Sequence, residues 1–174
     1  AYGSCYSLGI LISEIAQESF RDRVITFESN PRWHVLNPKH DITQKVKSLQ
    51  AAPWGGSTSI EKALELIYQV VRANKLSEEE VPDMIVFSDM QFDVARGGVY
   101  GYGQQCKKSW QTTHETVKAA FNKLGMEIAG KPYSPPRIIY WNIRGNSTSG
   151  IHAPVESDCE NVQMLSGYSP ALMK

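Results

Sequence analysis

MIVFSDMQFD, residues 84–93, is the stretch that decides the fold. Its apolar run, residues 84–87, ends at Ser88-Asp89, and a second acid, Asp93, follows four residues later. A continuous apolar run of this length is typical of a strand buried on both faces, as in a parallel sheet covered by helices. In such sheets ligands bind at the carboxyl ends of the strands, where Asp89 is well placed for a cation.

The rest of the chain alternates between helical and strand patterns. Apolar residues at helical spacing predict helices over 4–16, 41–49, 59–73 and 112–124, the first with Leu8, Leu11, Ile12 and Ile15 on its apolar face. Short β-branched or apolar runs predict strands over 23–27, 33–36, 84–88, 137–143 and 161–165, and a last helix is expected from Ser169-Pro170. Residues 94–111 interleave glycine with aromatic residues, which predicts a mobile loop. This order predicts one α/β domain over 1–174, doubly wound, with a mostly parallel central sheet flanked by helices.

The composition is that of a globular protein without a charge bias. The chain has 174 residues, of which 18 are basic, 18 are acidic and 41% are hydrophobic, which fits one domain with a substantial core. A net charge of zero gives no global electrostatic reason to expect nucleic acid or an anionic membrane as a partner. Three widely spaced cysteines favour a reducing compartment, so a cytoplasmic protein is expected.

A hydroxyl-rich segment before the strongest helix is the second part of a candidate site. Thr58 and Ser59 follow Gly55-Gly56 and precede helix 59–73. One reading is a helix cap, worth about 1 kcal/mol; the other is that Thr58 faces a metal or anion at the positive end of the helix. Carboxylate and hydroxyl oxygens suit Mg²⁺, Ca²⁺ or Mn²⁺ rather than Zn²⁺, and two protein ligands hold Mg²⁺ only weakly. The candidate metal ligands are Thr58 and Asp89, with Ser57, Ser59 and Asp93 as supporting residues.

No catalytic constellation is evident in the sequence. The chain lacks a Gly-x-Ser-x-Gly elbow, a P-loop, and a cysteine with a partner histidine in a recognisable signature. The four histidines show no metal-ligand spacing, and each is expected at the surface or in a loop. The sequence therefore predicts a protein that is not an enzyme.

The order of these segments resembles a von Willebrand factor A-type domain. The segments that carry the resemblance run through the whole chain: RVITFES, WGGSTSIEKALELI, MIVFSDMQFD, PPRIIYWNIRG and NVQMLSGYSPALMK. More specifically, the chain is similar to the C-terminal domain of an uncharacterised family, catalogued as a domain of unknown function and related to the TROVE (Ro-type) ribonucleoproteins. The resemblance implies a central, mostly parallel sheet between helices and a metal-ion-dependent adhesion site.

That site uses three loops: an Asp-x-Ser-x-Ser motif after the first strand, a Thr before a helix, and an Asp after a later strand. In this sequence the Thr corresponds to Thr58 and the Asp to Asp89, while the Asp-x-Ser-x-Ser motif has no counterpart. In relatives the motif lies just before the helix that opens this chain. The resemblance therefore implies an N-terminally incomplete domain, lacking the first strand and its motif, that holds no metal by itself.

The function implied is a protein-interaction module, in which the metal of an intact site accepts an acidic residue of a partner protein. Two alternatives stay open. One is a scaffold domain of a Ro-like ribonucleoprotein, in which a larger complex would contact RNA. The other is a Mg²⁺-dependent hydrolase, which needs a nucleophile or general base that the sequence does not reveal. No membrane partner is expected.

Overall fold

The computed structural model of the chain describes residues 2–26, 28, 30–54, 60–88, 103–142 and 161–166. Its α-helices are α1 (Tyr2–Ile15), α2 (Ile42–Gln50), α3 (Ile60–Asn74) and α4 (Gly103–Ala129). Its strands are β1 (Arg23–Ile25), β2 (Trp33–Val35), β3 (Met84–Ser88), β4 (Ile138–Asn142) and β5 (Val162–Ser166), and short 3₁₀ turns occupy Glu18–Phe20 and Glu78–Glu80. Every predicted helix and strand that falls within these ranges is present, which confirms an α/β chain.

The strands β3, β4 and β5 form a parallel sheet in which β4 is central. The three strands start in register and end in register, so the sheet has two well-defined edges. The carboxyl edge consists of the last strand residues, Ser88, Asn142 and Ser166. The amino edge consists of the residues that directly precede the strands, Asp83, Arg137 and Asn161.

Helices cover both faces of this sheet because its strands are apolar on both sides. One face contributes Met84, Val86, Ile138, Tyr140 and Val162 to a core cluster that residues of α3 and α4 complete. The other face contributes Ile85, Phe87, Trp141 and Leu165 to a cluster that Leu8 of α1 completes. The alternation follows the two-residue period of a strand, and it confirms the prediction that strand 84–88 is covered on both faces.

The strands β1 and β2 form a separate antiparallel ribbon, and α2 packs beside it. His34 Nε2 of β2 lies 2.9 Å from Ser48 Oγ of α2. The start of α2 is fixed by a capping box, in which Asp41 Oδ1 accepts the Gln44 N–H at 2.8 Å and Gln44 Oε1 accepts the Asp41 N–H at 3.0 Å. Such a box satisfies main-chain donors that have no partner within the first helical turn.

An ion pair between a buried lysine and a glutamate whose side chain is 40% exposed joins α1 to α2. Lys45 of α2 is only 4% exposed, and its Nζ donates to Glu14 Oε1 of α1. Burying an ammonium group is costly unless a carboxylate pairs with it. The pair therefore holds α2 in place beside the apolar cluster of Ile10, Leu36 and Leu49.

Helix α3 has the period that the sequence predicts. Its buried residues are Ala63, Leu64, Ile67 and Val71, its exposed ones include Glu61, Lys62 and Glu65, and Ile60 is half-buried. Leu64 has only 3% of its surface exposed and lies in the same cluster as Met84 and Val86 of β3. Helix α3 thus covers one face of the sheet that contains β3, the strand that leads to the predicted site.

Helix α1 departs from the single apolar face that the sequence predicts. Leu8 is buried and Ile12 half-buried, but Leu11 and Ile15 are 45% and 75% exposed. The helix is contacted on two sides, because Leu8 packs against the parallel sheet while Ile10 packs against α2 and the ribbon. A helix held between two layers has no single apolar stripe, so the assignment of Leu11 and Ile15 to a buried face was wrong.

Two further predictions are wrong. Helix α4 begins at Gly103, so the second half of the loop predicted over 94–111 is helical, while 94–102 lie outside the described residues. No glycine or proline interrupts the chain between Gly103 and Gly125, so nothing stops the helix there. His114, expected at the surface, is buried on α4 because it shares a helical row with Val117 and Phe121. The helix predicted from Ser169-Pro170 lies outside the described residues.

Candidate functional site

Short polar residues end all three strands of the parallel sheet. β3 ends at Ser88, β4 at Asn142 and β5 at Ser166, and the three lie opposite one another across the sheet. Neighbouring strands are about 4.8 Å apart, so the row spans roughly 10 Å. Because ligands of open parallel sheets bind outside this end, the carboxyl edge is the candidate functional site.

The strands that lead to this edge are firmly packed. Ile138 and Tyr140 of β4 are only 2% and 1% exposed, and the rings of Phe87 and Trp141 lie 5.5 Å apart on the opposite face. Burial raises the pKa of the Tyr140 phenol above its ordinary value, so this group stays neutral at physiological pH. The row of polar residues therefore follows strand residues that are well packed and uncharged.

The predicted metal ligands Thr58 and Asp89 lie outside the described residues, as do Ser57, Ser59 and Asp93. The elements that lead to them are described. Asp89 directly follows Ser88, the last residue of β3, and Thr58 precedes Ile60, the first residue of α3, by two positions. The arrangement of the ligands themselves stays a prediction.

The turn between β1 and β2 lies beside the first turn of α3. Lys62 Nζ donates to Asn30 Oδ1 at 2.9 Å, and a groove of about 210 Å³ is lined by Asn30, Pro31, Lys62, Glu65, Leu66 and Gln69. Within the turn, the Glu28 carboxylate accepts from Arg32 Nε at 3.1 Å and from the buried Thr26 hydroxyl at 3.3 Å. The start of α3, the helix that follows Thr58, therefore has charged and amide groups next to it.

Asn142 and Ser166 are the candidate residues that sequence reasoning missed. Their signal was present, because each strand passes from a largely apolar run to a short polar residue, as β3 does at Ser88. Only the strand pairing shows that the three residues form one row.

Two features are absent from the described part of the chain. Within it, no group of three or more His, Cys, Asp and Glu residues could hold a metal ion. Within the same ranges, no helix is both long and apolar enough to cross a membrane. The residue types that surround the carboxyl edge in the sequence, Ser, Thr, Asn and Asp, offer hard oxygen donors, which fit Mg²⁺ or Ca²⁺ better than transition metals.

The packing and the candidate site define an α/β protein with a small parallel sheet, helices on both faces and a polar row at the carboxyl edge. The chain belongs to the family described as Domain of unknown function (DUF7788), which matches residues 1–174. It is 33% identical over 170 residues to "Uncharacterized protein L728" of Acanthamoeba polyphaga mimivirus, an alignment that covers 97% of this chain and 26% of the relative. The chain thus spans about a quarter of the length of that relative. No solved structure matches the chain.

Proposed function

We propose that this chain is a protein-interaction module with a doubly wound, von Willebrand A-type fold, and that it binds its partner at the carboxyl edge of the parallel sheet. The observation that carries the proposal is the register of Ser88, Asn142 and Ser166. It brings three polar strand ends to one place, and Asp89 is the next residue after that row. An acidic residue of the partner is the group that this site receives.

The residue types around this edge support a hard cation as the bridge to the partner. Thr58 supplies a hydroxyl oxygen and Asp89 a carboxylate, which are ligands typical of Mg²⁺ sites. The N-terminus of α3 carries a partial positive charge, which favours the approach of the partner's carboxylate rather than the binding of the cation itself. When bound, the ion supplies an open coordination position for a carboxylate, and the residues of the carboxyl edge orient the partner around it.

Tight metal binding needs more oxygen ligands than Thr58 and Asp89 provide. Mg²⁺ requires a nearly octahedral set of oxygens and gives up its water reluctantly. The resemblance to the von Willebrand A-type domain assigns the additional ligands to an Asp-x-Ser-x-Ser segment that precedes α1. The 174-residue chain should therefore bind Mg²⁺ weakly, and a longer protein that carries that segment should bind it tightly.

Calorimetric titration with Mg²⁺ and Mn²⁺ tests this proposal. We expect tight binding only when the upstream strand and its Asp-x-Ser-x-Ser motif are present, and Asp89→Ala should abolish it. Asp83→Ala is the matched control, because Asp83 precedes the same strand at the opposite edge and pairs with Arg137. Equally tight binding by the short and the extended protein would contradict the proposal, as would unchanged binding in the Asp89→Ala variant.

The partner chemistry is tested with peptides that differ in one residue. In the presence of Mg²⁺, a longer protein that carries the upstream segment should bind peptides with a central Asp or Glu. Binding should be lost when the acid is replaced by Asn or Gln, or when EDTA is added. Retention of RNA in place of acidic peptides would instead favour the ribonucleoprotein scaffold. Peptide binding that is indifferent to the central acid would contradict the proposed role of the metal.

A further inference from the structure

Helices α1 and α2 form an antiparallel pair. Glu14, near the end of α1, accepts a hydrogen bond from Lys45, which lies near the start of α2. The ring of Tyr6, near the start of α1, lies 5.6 Å from the ring of Trp54, which follows the end of α2. The end of each helix therefore lies beside the start of the other.

A groove of about 350 Å³ lies between these two helices. Its lining consists of Ser7, Ile42, Thr43, Val46, Lys47 and Gln50. Ser7 is the residue that α1 contributes, and Leu11 and Ile15 follow it at intervals of four residues, so the three lie along one stripe of the helix. The wall that α1 forms therefore continues from Ser7 to Leu11 and Ile15.

The groove is apolar at one end and polar at the other. Ile42, the first residue of α2, is 52% exposed and belongs to the end at which Leu11 and Ile15 of α1 are also exposed. Ser7 and Gln50 lie towards the opposite end. A single exposed apolar side chain is ordinary, but three along one groove with a polar continuation are typical of a surface that binds another molecule.

The charge of the groove indicates the chemistry of its occupant. Lys47 alone is charged among the described residues that line it. Lys47 forms no ion pair within the described part of the chain, whereas Lys45 is paired with Glu14. An acidic side chain on the occupant therefore complements the groove. A lipid surface is bound by several basic residues rather than by one, so this lining favours a protein.

We propose that this groove, here named the α1–α2 groove, binds an amphipathic helix of a partner protein that carries an acidic residue beside its apolar face. Helices satisfy their own main-chain hydrogen bonds, so the walls offer side chains and no strand edge to the occupant. A third helix packs its side chains between the ridges of the other two. Helix α1 has 14 residues and spans about 21 Å, so the occupant has about three to four turns.

Selection from a phage-displayed library of random 16-residue peptides tests the α1–α2 groove. The wild-type chain is the bait, the Leu11→Glu variant removes peptides that bind elsewhere, and EDTA is present throughout. The selected peptides should carry apolar residues at helical spacing with an acidic residue beside them. Their affinity should fall at least about tenfold in Ile15→Glu and Ile42→Glu. Met126→Glu, at an exposed apolar position of α4, is the matched control and should bind like the wild type.

An exchange of charge tests the acidic residue of the occupant. Lys47→Glu should weaken binding of a selected peptide about fivefold, and replacing the acid of that peptide by Lys should restore the affinity. Lys39→Glu, at an exposed position that does not line the groove, is the control and should leave the affinity unchanged. A charge exchange without effect would contradict the assigned role of Lys47.

Thermal melting of every variant separates a lost contact from a lost fold. If Leu11→Glu melts below the wild type, Ile15→Glu takes its place in the selection, because Ile15 is the more exposed of the two residues.

Three results would overturn the proposal. One is a selection that gives no peptide whose binding depends on Leu11 or Ile15. Another is a set of peptides without helical spacing of their apolar residues. The third is binding to vesicles of phosphatidylcholine and phosphatidylserine that Leu11→Glu abolishes, which would make the groove a lipid contact. The proposed metal site takes no part in EDTA, so failure here is distinct from failure of the proposed function.

Discussion

The two edges of the parallel sheet share one register but consist of different polar residues. At the amino edge the polar groups bond to one another: Arg137 Nη2 donates to Asp83 Oδ2 at 2.6 Å, and Asn161 Nδ2 donates to the Pro136 carbonyl at 2.8 Å. At the carboxyl edge the strands end in Ser88, Asn142 and Ser166, and Asp89 follows. The polar groups of the amino edge are thus paired within the protein, whereas the carboxyl edge is the place at which we propose the binding site.

The chain that leads to the amino edge is closely fitted to α4. An added Cβ at Gly125 would lie 2.4 Å from both the Lys131 carbonyl oxygen and the Tyr133 main-chain nitrogen. Tyr133 itself is buried and donates its hydroxyl to the Leu76 carbonyl at 3.0 Å. The connection from α4 to β4 is therefore fixed by contacts within the protein, which leaves little room for a ligand.

Gly125→Ala should give the largest effect. The new methyl group meets backbone rather than flexible side-chain ends, so the connection before β4 must move, and the free energy of unfolding should fall by about 3 kcal/mol or more. Chemical denaturation measures this. The matched control is Gly9→Ala in α1, where there is open space around the Cβ position. This variant should be more stable than the wild type by up to about 1 kcal/mol. Equal stability of the two variants would show that the amino side is not tightly packed.

Tyr133→Phe should cost about 1–2 kcal/mol, because it leaves the buried Leu76 carbonyl without this hydrogen bond. Ser88→Ala at the carboxyl edge should change stability by less than about 0.5 kcal/mol. The same denaturation experiment on both variants compares the edges directly. A larger loss for Ser88→Ala than for Tyr133→Phe would reverse the comparison.

The two aspartates that flank β3 should behave differently. Asp83→Ala breaks a half-exposed ion pair with Arg137, so it should reduce stability by up to about 1 kcal/mol. Asp89→Ala should leave stability nearly unchanged and affect only metal binding by the extended protein. Thermal melts at low and high salt give the measurement, since added salt should weaken the Asp83 effect alone. A salt-dependent loss on Asp89→Ala would show that Asp89 is structural.

Glu78→Gln should have the smallest effect, and it should depend on pH. The Ser134 N–H and the Lys131 ammonium hold the pKa of the Glu78 carboxyl below its ordinary value of 4.5. Because the pKa of Glu78 is lower in the folded protein than in the unfolded chain, the ionised carboxylate stabilises the fold above pH 4.5. This stabilisation is lost as the pH falls through the folded-state pKa. The melting temperature of the wild type should therefore be slightly higher than that of the variant at neutral pH and equal to it in strong acid. A difference that grows in acid would contradict this.

Much of the fold could be predicted from local pattern, because α3 has one apolar face at helical spacing and β3 is a continuous apolar run that is covered on both faces. The face of α1 could not, since its burial depends on two layers contributed by distant segments. The start of α4 was obscured by Gly97, Gly98 and Gly101, which precede the helix in the sequence, and by Gly103, which is its first residue. For the candidate site, the end of β3 was predictable from the apolar run before Ser88. The alignment of Ser88 with Asn142 and Ser166 could not be predicted, because a register depends on how strands pair and not on the sequence of any one strand.

The ion pair between Glu14 and Lys45 makes the chemical reactivity of Lys45 a measure of the contact between α1 and α2. An amine that is 4% exposed and bonded to a carboxylate reacts with acylating reagents only when α2 moves away from α1. The labelling rate of Lys45, compared with that of the exposed Lys39 and Lys47 nearby, therefore measures how often this helix pair opens without unfolding the rest of the domain. Mass spectrometry of the labelled peptides would read out that local equilibrium in the native protein.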